Sequence, residues 1–96
     1  MSIRPRVRQP AAPLEHTISH AELIEHLGSA AVTELVVVET APNTYRLEAT
    51  LSWRGGRSVL IAARGAERSF RSLDTVATFL RTAGTGSTIV RLQLRN

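Results

Sequence analysis

Apolar and polar residues alternate along residues 44–53, and this alternation is the clearest pattern in the chain. A period of two is typical of a strand that is buried on one face. The inward set comprises Tyr45, Leu47, Ala49, Leu51 and Trp53, and the outward set comprises Arg46, Glu48, Thr50 and Ser52. Gly55 and Gly56 predict a hairpin turn that needs positive φ. The next strand is predicted over 57–64, with Val59, Ile61 and Ala63 on one face.

Further strands are predicted on both sides of this hairpin. Residues 33–40 are rich in β-branched side chains, which favours a strand covered on both faces. Turn chemistry over 41–43 connects that strand to the alternating one. A short strand is predicted over 67–71 and a final strand over 87–95. The inward side chains of the final strand are Val90, Leu92 and Leu94.

Two helices are predicted from capping residues and apolar spacing. Ser19 and Glu22 form a capping box that starts a helix over 19–27, and Gly28 is placed to end it in the left-handed conformation. Ser72 caps the second helix. The apolar residues that recur at helical spacing after this cap are Leu73, Val76, Ala77 and Leu80.

These elements predict an α+β domain in the order α-β-β-β-β-α-β, with an antiparallel meander sheet that carries both helices on one face. The single domain covers residues 14–96. Residues 1–13 hold three prolines and alternating arginines, which predicts a disordered basic arm. The predicted core combines residues of the sheet and of the second helix: Leu47, Leu51, Trp53, Ile61, Leu73, Val76 and Leu80.

Charge is distributed unevenly along the chain. All twelve basic residues are arginine, and nine of these lie in residues 46–96 against three acidic residues. A basic half suits a polyanionic partner, and a strand face of arginine and hydroxyl side chains is compatible with the major groove of DNA. The candidate nucleic-acid-binding residues are Arg46, Arg54, Arg57 and Arg64. The alternative is a solvated outer face, which Glu48, in the middle of this set, favours.

Several kinds of chemistry lack the residues that they need. The absence of cysteine excludes disulfides, thiolate metal sites and thiol catalysis, and it suits the cytoplasm. The three histidines do not share a helix face, and no nucleophile or phosphate-loop motif is present. We therefore expect no metal, no cofactor and no enzyme. The longest apolar run, residues 35–38, is too short to cross a membrane. A homodimer is expected because a domain of this size has a small core.

Two resemblances add an expectation about function. Residues 44–82 resemble the three-stranded arm-type DNA-binding domains of tyrosine recombinases, in a pattern of a meander followed by a helix. Residues 14–39 and 70–80 resemble the small ParC-type partition-associated proteins, which are encoded beside partition genes on plasmids and integrative elements of proteobacteria. The second resemblance implies a non-enzymatic accessory protein of plasmid or mobile-element partition that binds a partition protein, DNA or both. The alternatives are a sheet-type DNA-binding module and, less favoured, a small enzyme or metal protein.

Overall fold

The computed structural model describes residues 14–95. The predicted arm, residues 1–13, lies outside the described residues, as does Asn96. The described elements are β1 (Leu14–Ile18), α1 (His20–Gly28), β2 (Val32–Ala41), β3 (Thr44–Leu51), β4 (Arg57–Leu60), α2 (Leu73–Ala83) and β5 (Ile89–Gln93). No helix among these residues has the length and apolar character that crossing a membrane requires.

All five strands belong to one sheet with the order β1-β4-β3-β2-β5. The central strands β2, β3 and β4 form the predicted antiparallel meander. The two edge strands run parallel to their neighbours, β1 to β4 and β5 to β2. Each edge strand is joined through a helix to a strand of the same direction, which is the usual connection for parallel strands. The α+β class is confirmed, whereas the prediction of a purely antiparallel sheet is wrong.

Two strand predictions differ from the structure. β1 occupies residues for which no element was predicted, and its pairing with β4 supplies a partner that no local pattern indicates. The strand predicted over 67–71 is reduced to two isolated bridges, one between Ile61 and Glu67 and one between Tyr45 and Phe70. The element order is therefore β-α-β-β-β-α-β.

The core lies between the two helices and one face of the sheet. It combines residues from both helices with the inward residues of the strands: Ile18, Leu23, Leu27, Val32, Leu35, Val37, Tyr45, Leu47, Ala49, Leu51, Leu60, Phe70, Val76, Leu80 and Ala83. Four of the predicted core residues, Leu47, Leu51, Val76 and Leu80, are confirmed. Each helix thus buries its apolar stripe against the same sheet face.

Three predicted core residues lie elsewhere. Trp53 is 56% exposed because β3 ends at Leu51 and the indole follows in the connecting turn. Leu73 is exposed in the first turn of α2. Ile61 is outside the core cluster, where Leu60 takes its place. The phase of β4 was wrong by one residue because its run of apolar residues fits either face.

The helix caps follow the sequence at Ser19 and Ser72 but not at Gly28. Ser19 and Glu22 form the capping box, and the Ser72 hydroxyl accepts a hydrogen bond from the backbone of α2. α2 ends at Gly84, which is left-handed with φ 85°. Gly28 does not end α1 in that conformation, since the helix includes it and Ala30 is the left-handed residue, with φ 60°.

Candidate interaction surfaces

Arg46 and Arg57 meet on the sheet face opposite the helices, where both bind the carboxylate of Glu48. Arg46 Nε donates to Glu48 Oε2 at 2.7 Å, and Arg57 Nη1 donates to Glu48 Oε1 at 2.9 Å. The Glu48 side chain is only 1% exposed, whereas those of Arg46 and Arg57 are 25% and 18% exposed. Arg46 Nη1 also lies 3.6 Å from Glu67 Oε1. Internal carboxylates therefore already balance the charge of these two candidate residues.

The other two candidate arginines lie apart from this pair. The Arg54 guanidinium stacks over the Trp53 ring at 4.5 Å from its centroid, and its Nη1 donates to Ser58 Oγ at 3.1 Å. Ser58 pairs with Ala49, which places it on the helix side of the sheet. Arg64 is exposed in the turn after β4. The structure brings two of the four candidates together and does not form one surface from all four.

One ion pair and one hydrogen bond connect the end of the described chain to β2. Arg91 Nε and Nη2 bind Glu34 Oε2 at 2.7 and 2.6 Å. The backbone N–H of Arg95 donates to Glu39 Oε1 at 3.0 Å. Across residues 14–95, nine arginines face eight acidic residues, so one net positive charge remains. The Arg91–Glu34 pair joins the basic half of the sequence to the acidic half, whereas Arg46 and Arg57 pair with acidic residues of their own half.

Arg68 forms a feature that the sequence did not single out. Its guanidinium carbon lies 4.9 Å and 5.3 Å from the ring centroids of Phe70 and Phe79, and the His20 ring lies 5.1 Å from that of Phe79. A groove of about 500 Å³ beside the start of α1 is lined in part by His20 and Arg68. Within the described residues, no carboxylate lies in ion-pair distance of Arg68. The signal that could have marked it is the alternation of Arg68 and Phe70 in a segment predicted as a strand.

The edge strand β5 presents an apolar surface, here called the β5 strip and defined as Val90, Leu92 and Leu94. Val90 and Leu92 pair with Leu35 and Val37 of the core, so these two side chains face the helices, and Leu94 follows directly after β5. Its three side chains nevertheless remain 44%, 47% and 56% exposed. The three side chains were predicted to point inward. They are nevertheless not buried, because no element covers β5 in the described part of the chain.

An apolar groove adjoins the β5 strip. It has a volume of about 180 Å³ and lies between α2 and the last two strands of the sheet order. Its lining is Val37, Leu73, Val76, Ala77, Leu80, Val90 and Leu92. Within residues 14–95, β5 is paired on one side alone, so its outer backbone groups have no strand partner. An open edge beside an apolar groove is a surface on which another polypeptide strand can add.

The remaining chemistry of the described residues is modest. Among them, no group of three or more His, Asp or Glu side chains is placed to hold a metal ion. The pKa of Glu22 is lowered, first because the Ser19 backbone N–H donates to its carboxylate and then because of the Ser19 hydroxyl.

No family model matches the chain, and no curated protein or solved structure matches it either.

Proposed function

We propose that this protein is a non-enzymatic accessory protein of plasmid or mobile-element maintenance that works in the cytoplasm as a homodimer and binds other proteins. One observation supports protein binding above the others: the open edge of β5 with its exposed apolar strip. Natural sheets usually blunt an edge strand with charge, proline or a covering element. Here Arg91 lies on the outer face of the edge strand, but three half-exposed apolar side chains line its helix side. A hydrophobic, unpaired edge beside a groove fits strand addition by a protein partner.

The charge distribution also favours a protein partner over DNA. Phosphate binding requires arginines that are free to replace the counterions of the nucleic acid. Glu48 already binds Arg46 and Arg57, and Glu34 binds Arg91. Non-specific binding of a duplex through this sheet face would require these internal pairs to be given up. The apolar edge needs no such exchange.

The setting in element maintenance rests on the resemblance of residues 14–39 and 70–80 to small ParC-type partition-associated proteins. The test is retention of the element that carries the gene during growth without selection. We expect deletion of the gene to raise the rate of loss and the intact gene, supplied in trans, to restore retention. Equal retention with and without the gene would contradict a role in maintenance.

DNA binding is the second candidate function, and unpaired arginines favour it. In the described part of the chain, six arginine side chains form no ion pair with a carboxylate: Arg54, Arg64, Arg68, Arg71, Arg81 and Arg95. Fluorescence polarisation with a random-sequence duplex across a salt series tests this function. Binding through these residues should weaken steeply with salt, and Arg54→Glu with Arg64→Glu should lower the affinity. Circular dichroism checks that the variant folds, and parent protein that does not bind at low salt would exclude this candidate.

A further inference from the structure

We propose that two copies of this chain join edge to edge through antiparallel β5 strands, related by a two-fold axis at Leu92. The inference deepens the proposed function, on which it rests, by naming a second copy of the chain as the partner of the β5 strip. The two five-stranded sheets would then form one continuous sheet of ten strands. The β5 edges of both copies would be paired at once, which is the closed arrangement that a two-fold axis gives, and the β1 strands would form the two ends of the sheet.

Symmetry restricts the possible registers of this pairing. With a two-fold axis perpendicular to the sheet, each residue directs its side chain to the same face in both copies. Directly opposite residues must then be an even number of positions apart. One residue of β5 therefore lies opposite its own copy, and the axis passes between these two residues. The candidates are the central positions of the strand, and each gives a different set of cross-strand neighbours.

With the axis at Leu92, apolar residues lie opposite apolar residues. Leu92 faces Leu92 of the partner subunit, and Val90 faces the partner's Leu94, so the two β5 strips form one apolar band. On the other face, Arg91 lies opposite the partner's Gln93. No two charges of the same sign are directly opposite, and cross-strand pairs of this kind stabilise a sheet.

The neighbouring registers are worse for identifiable reasons. An axis at Arg91 places the two Arg91 side chains directly opposite each other. An axis at Gln93 places Arg91 opposite the partner's Arg95, and like charges directly opposite destabilise a sheet. An axis at Val90 leaves Leu94 without an apolar neighbour. The strip is therefore its own complement in one register, which is the reason to assign it to a second copy rather than to an unrelated protein.

The groove beside β5 gives this pairing a hydrophobic second layer. The exposed side chain of Leu73 on α2 lines the groove between α2 and β5, and the rest of the lining is also apolar. In the dimer, Leu94 of the partner subunit lies beside Val90 at the mouth of this groove. A specific interface needs about 1,000 Å² of buried surface in total. In the proposed dimer, the paired β5 strands and the contacts to both α2 helices would together contribute this buried area.

Single cysteines test the register directly, because the chain has no cysteine of its own. In the proposed register, residue 92 lies opposite itself at about 5 Å, whereas the two copies of residue 89 are separated by about 20 Å along the strands. Under mild oxidation, Leu92→Cys should form the disulfide-linked dimer roughly tenfold faster than Ile89→Cys, since disulfides need Cα atoms within about 7 Å. Ile89 is the more exposed residue, so random collision favours the control. Equal or faster linking of Ile89→Cys would overturn the register.

Sedimentation equilibrium tests the dimer itself over a series from about 1 to about 100 µM protein. We expect the parent to dimerise and Leu92→Glu to weaken dimerisation at least about tenfold, because it places two carboxylates at the axis. Ile24→Glu is the matched control, since Ile24 is a similarly exposed apolar residue on α1. It should dimerise like the parent. A parent that stays monomeric throughout would overturn the inference together with the homodimer of the proposed function, while the retention test of the gene deletion judges the role in element maintenance separately.

Discussion

Replacement of Glu48 by glutamine tests how much the buried carboxylate on the outer face of the sheet contributes to the free energy of unfolding. The substitution keeps the volume of the side chain, so it leaves no cavity, and it removes only the charge. The two hydrogen bonds to Arg46 and Arg57, of 2.7 and 2.9 Å, then lose their charged acceptor. One new N–H₂ group also faces guanidinium donors, which no longer find an acceptor on that side.

The size of the effect follows from the exposure of the three side chains. Removal of one partner from a fully buried ion pair destabilises a protein by about 3–5 kcal/mol. Glu48 is buried, but Arg46 and Arg57 are 25% and 18% exposed and can regain water when the pair is broken. The remaining amide oxygen still accepts one hydrogen bond, which contributes about 1 kcal/mol. We therefore expect Glu48→Gln to lower the free energy of unfolding by about 2–3 kcal/mol.

Urea titration followed by circular dichroism measures this loss as a lower midpoint with an unchanged slope. Glu67→Gln is the matched control, because Glu67 is 43% exposed and lies 3.6 Å from the same Arg46. An exposed pair of this kind contributes below about 1 kcal/mol. If Glu48→Gln changes the free energy of unfolding no more than Glu67→Gln does, the reasoning fails.

Glu48→Gln should also bind a duplex more tightly than the parent at low salt if the protein binds DNA, since it frees Arg46 and Arg57.

Three further predictions concern the core, the exposed indole and the first cap. Leu80→Ala should lower the free energy of unfolding by about 2–5 kcal/mol in urea, because Leu80 is buried in the core. Trp53→Ala should cost below about 1 kcal/mol, since the indole is largely exposed, and a larger loss would place it in the core. The pKa of Glu22 should lie below the ordinary value of glutamate in an NMR titration, because the Ser19 backbone N–H donates to its carboxylate. Its contribution to stability is then present above that ordinary value and is lost as pH falls through the lower folded value; a midpoint at or above the ordinary value would contradict the cap.

The parts of the fold that could be predicted are those with two local signals in agreement. Helix α1 has both a capping box at Ser19 and an apolar stripe, and the structure contains both. The hairpin of β2 and β3 has a turn at its centre, and Asn43 takes the left-handed conformation there with φ 55°. The antiparallel meander follows from such adjacent strands because short turns join them.

The parts that could not be predicted depend on partners distant in sequence. Residues 59–63 are apolar on both alternating sets, so only the pairing of Val59 with Glu48 decides that Leu60 enters the core. The parallel positions of β1 and β5 depend on crossovers through the helices, which leave no pattern in the strands themselves. Trp53 was assigned to the core because alternation continues past Leu51, although pairing with β2 ends there.

The candidate site shows the same limit for charge. Spacing placed Arg46 and Arg57 on one surface, and it also placed Glu48 among them, but it could not show that one carboxylate binds both guanidinium groups. A row of arginines in a sequence states where positive charges lie along the strand. It does not state which of them remain available to a ligand once the neighbouring strands have supplied their carboxylates.

The contacts between β5 and β2 join the two halves of the sequence at one ion pair. β2 carries Glu34 and Glu39, and the later strand β5 brings Arg91 to Glu34, while the backbone N–H of Arg95 donates to Glu39. The Arg91 side chain is 64% exposed, and an exposed pair of this kind contributes below about 1 kcal/mol. Backbone pairing with β2 therefore sets the direction of β5 and points Val90 and Leu92 toward α2. The ion pair lies on the outer face of the sheet, and the surface left for recognition on the helix side of β5 is apolar, which is why we propose a protein partner for that edge.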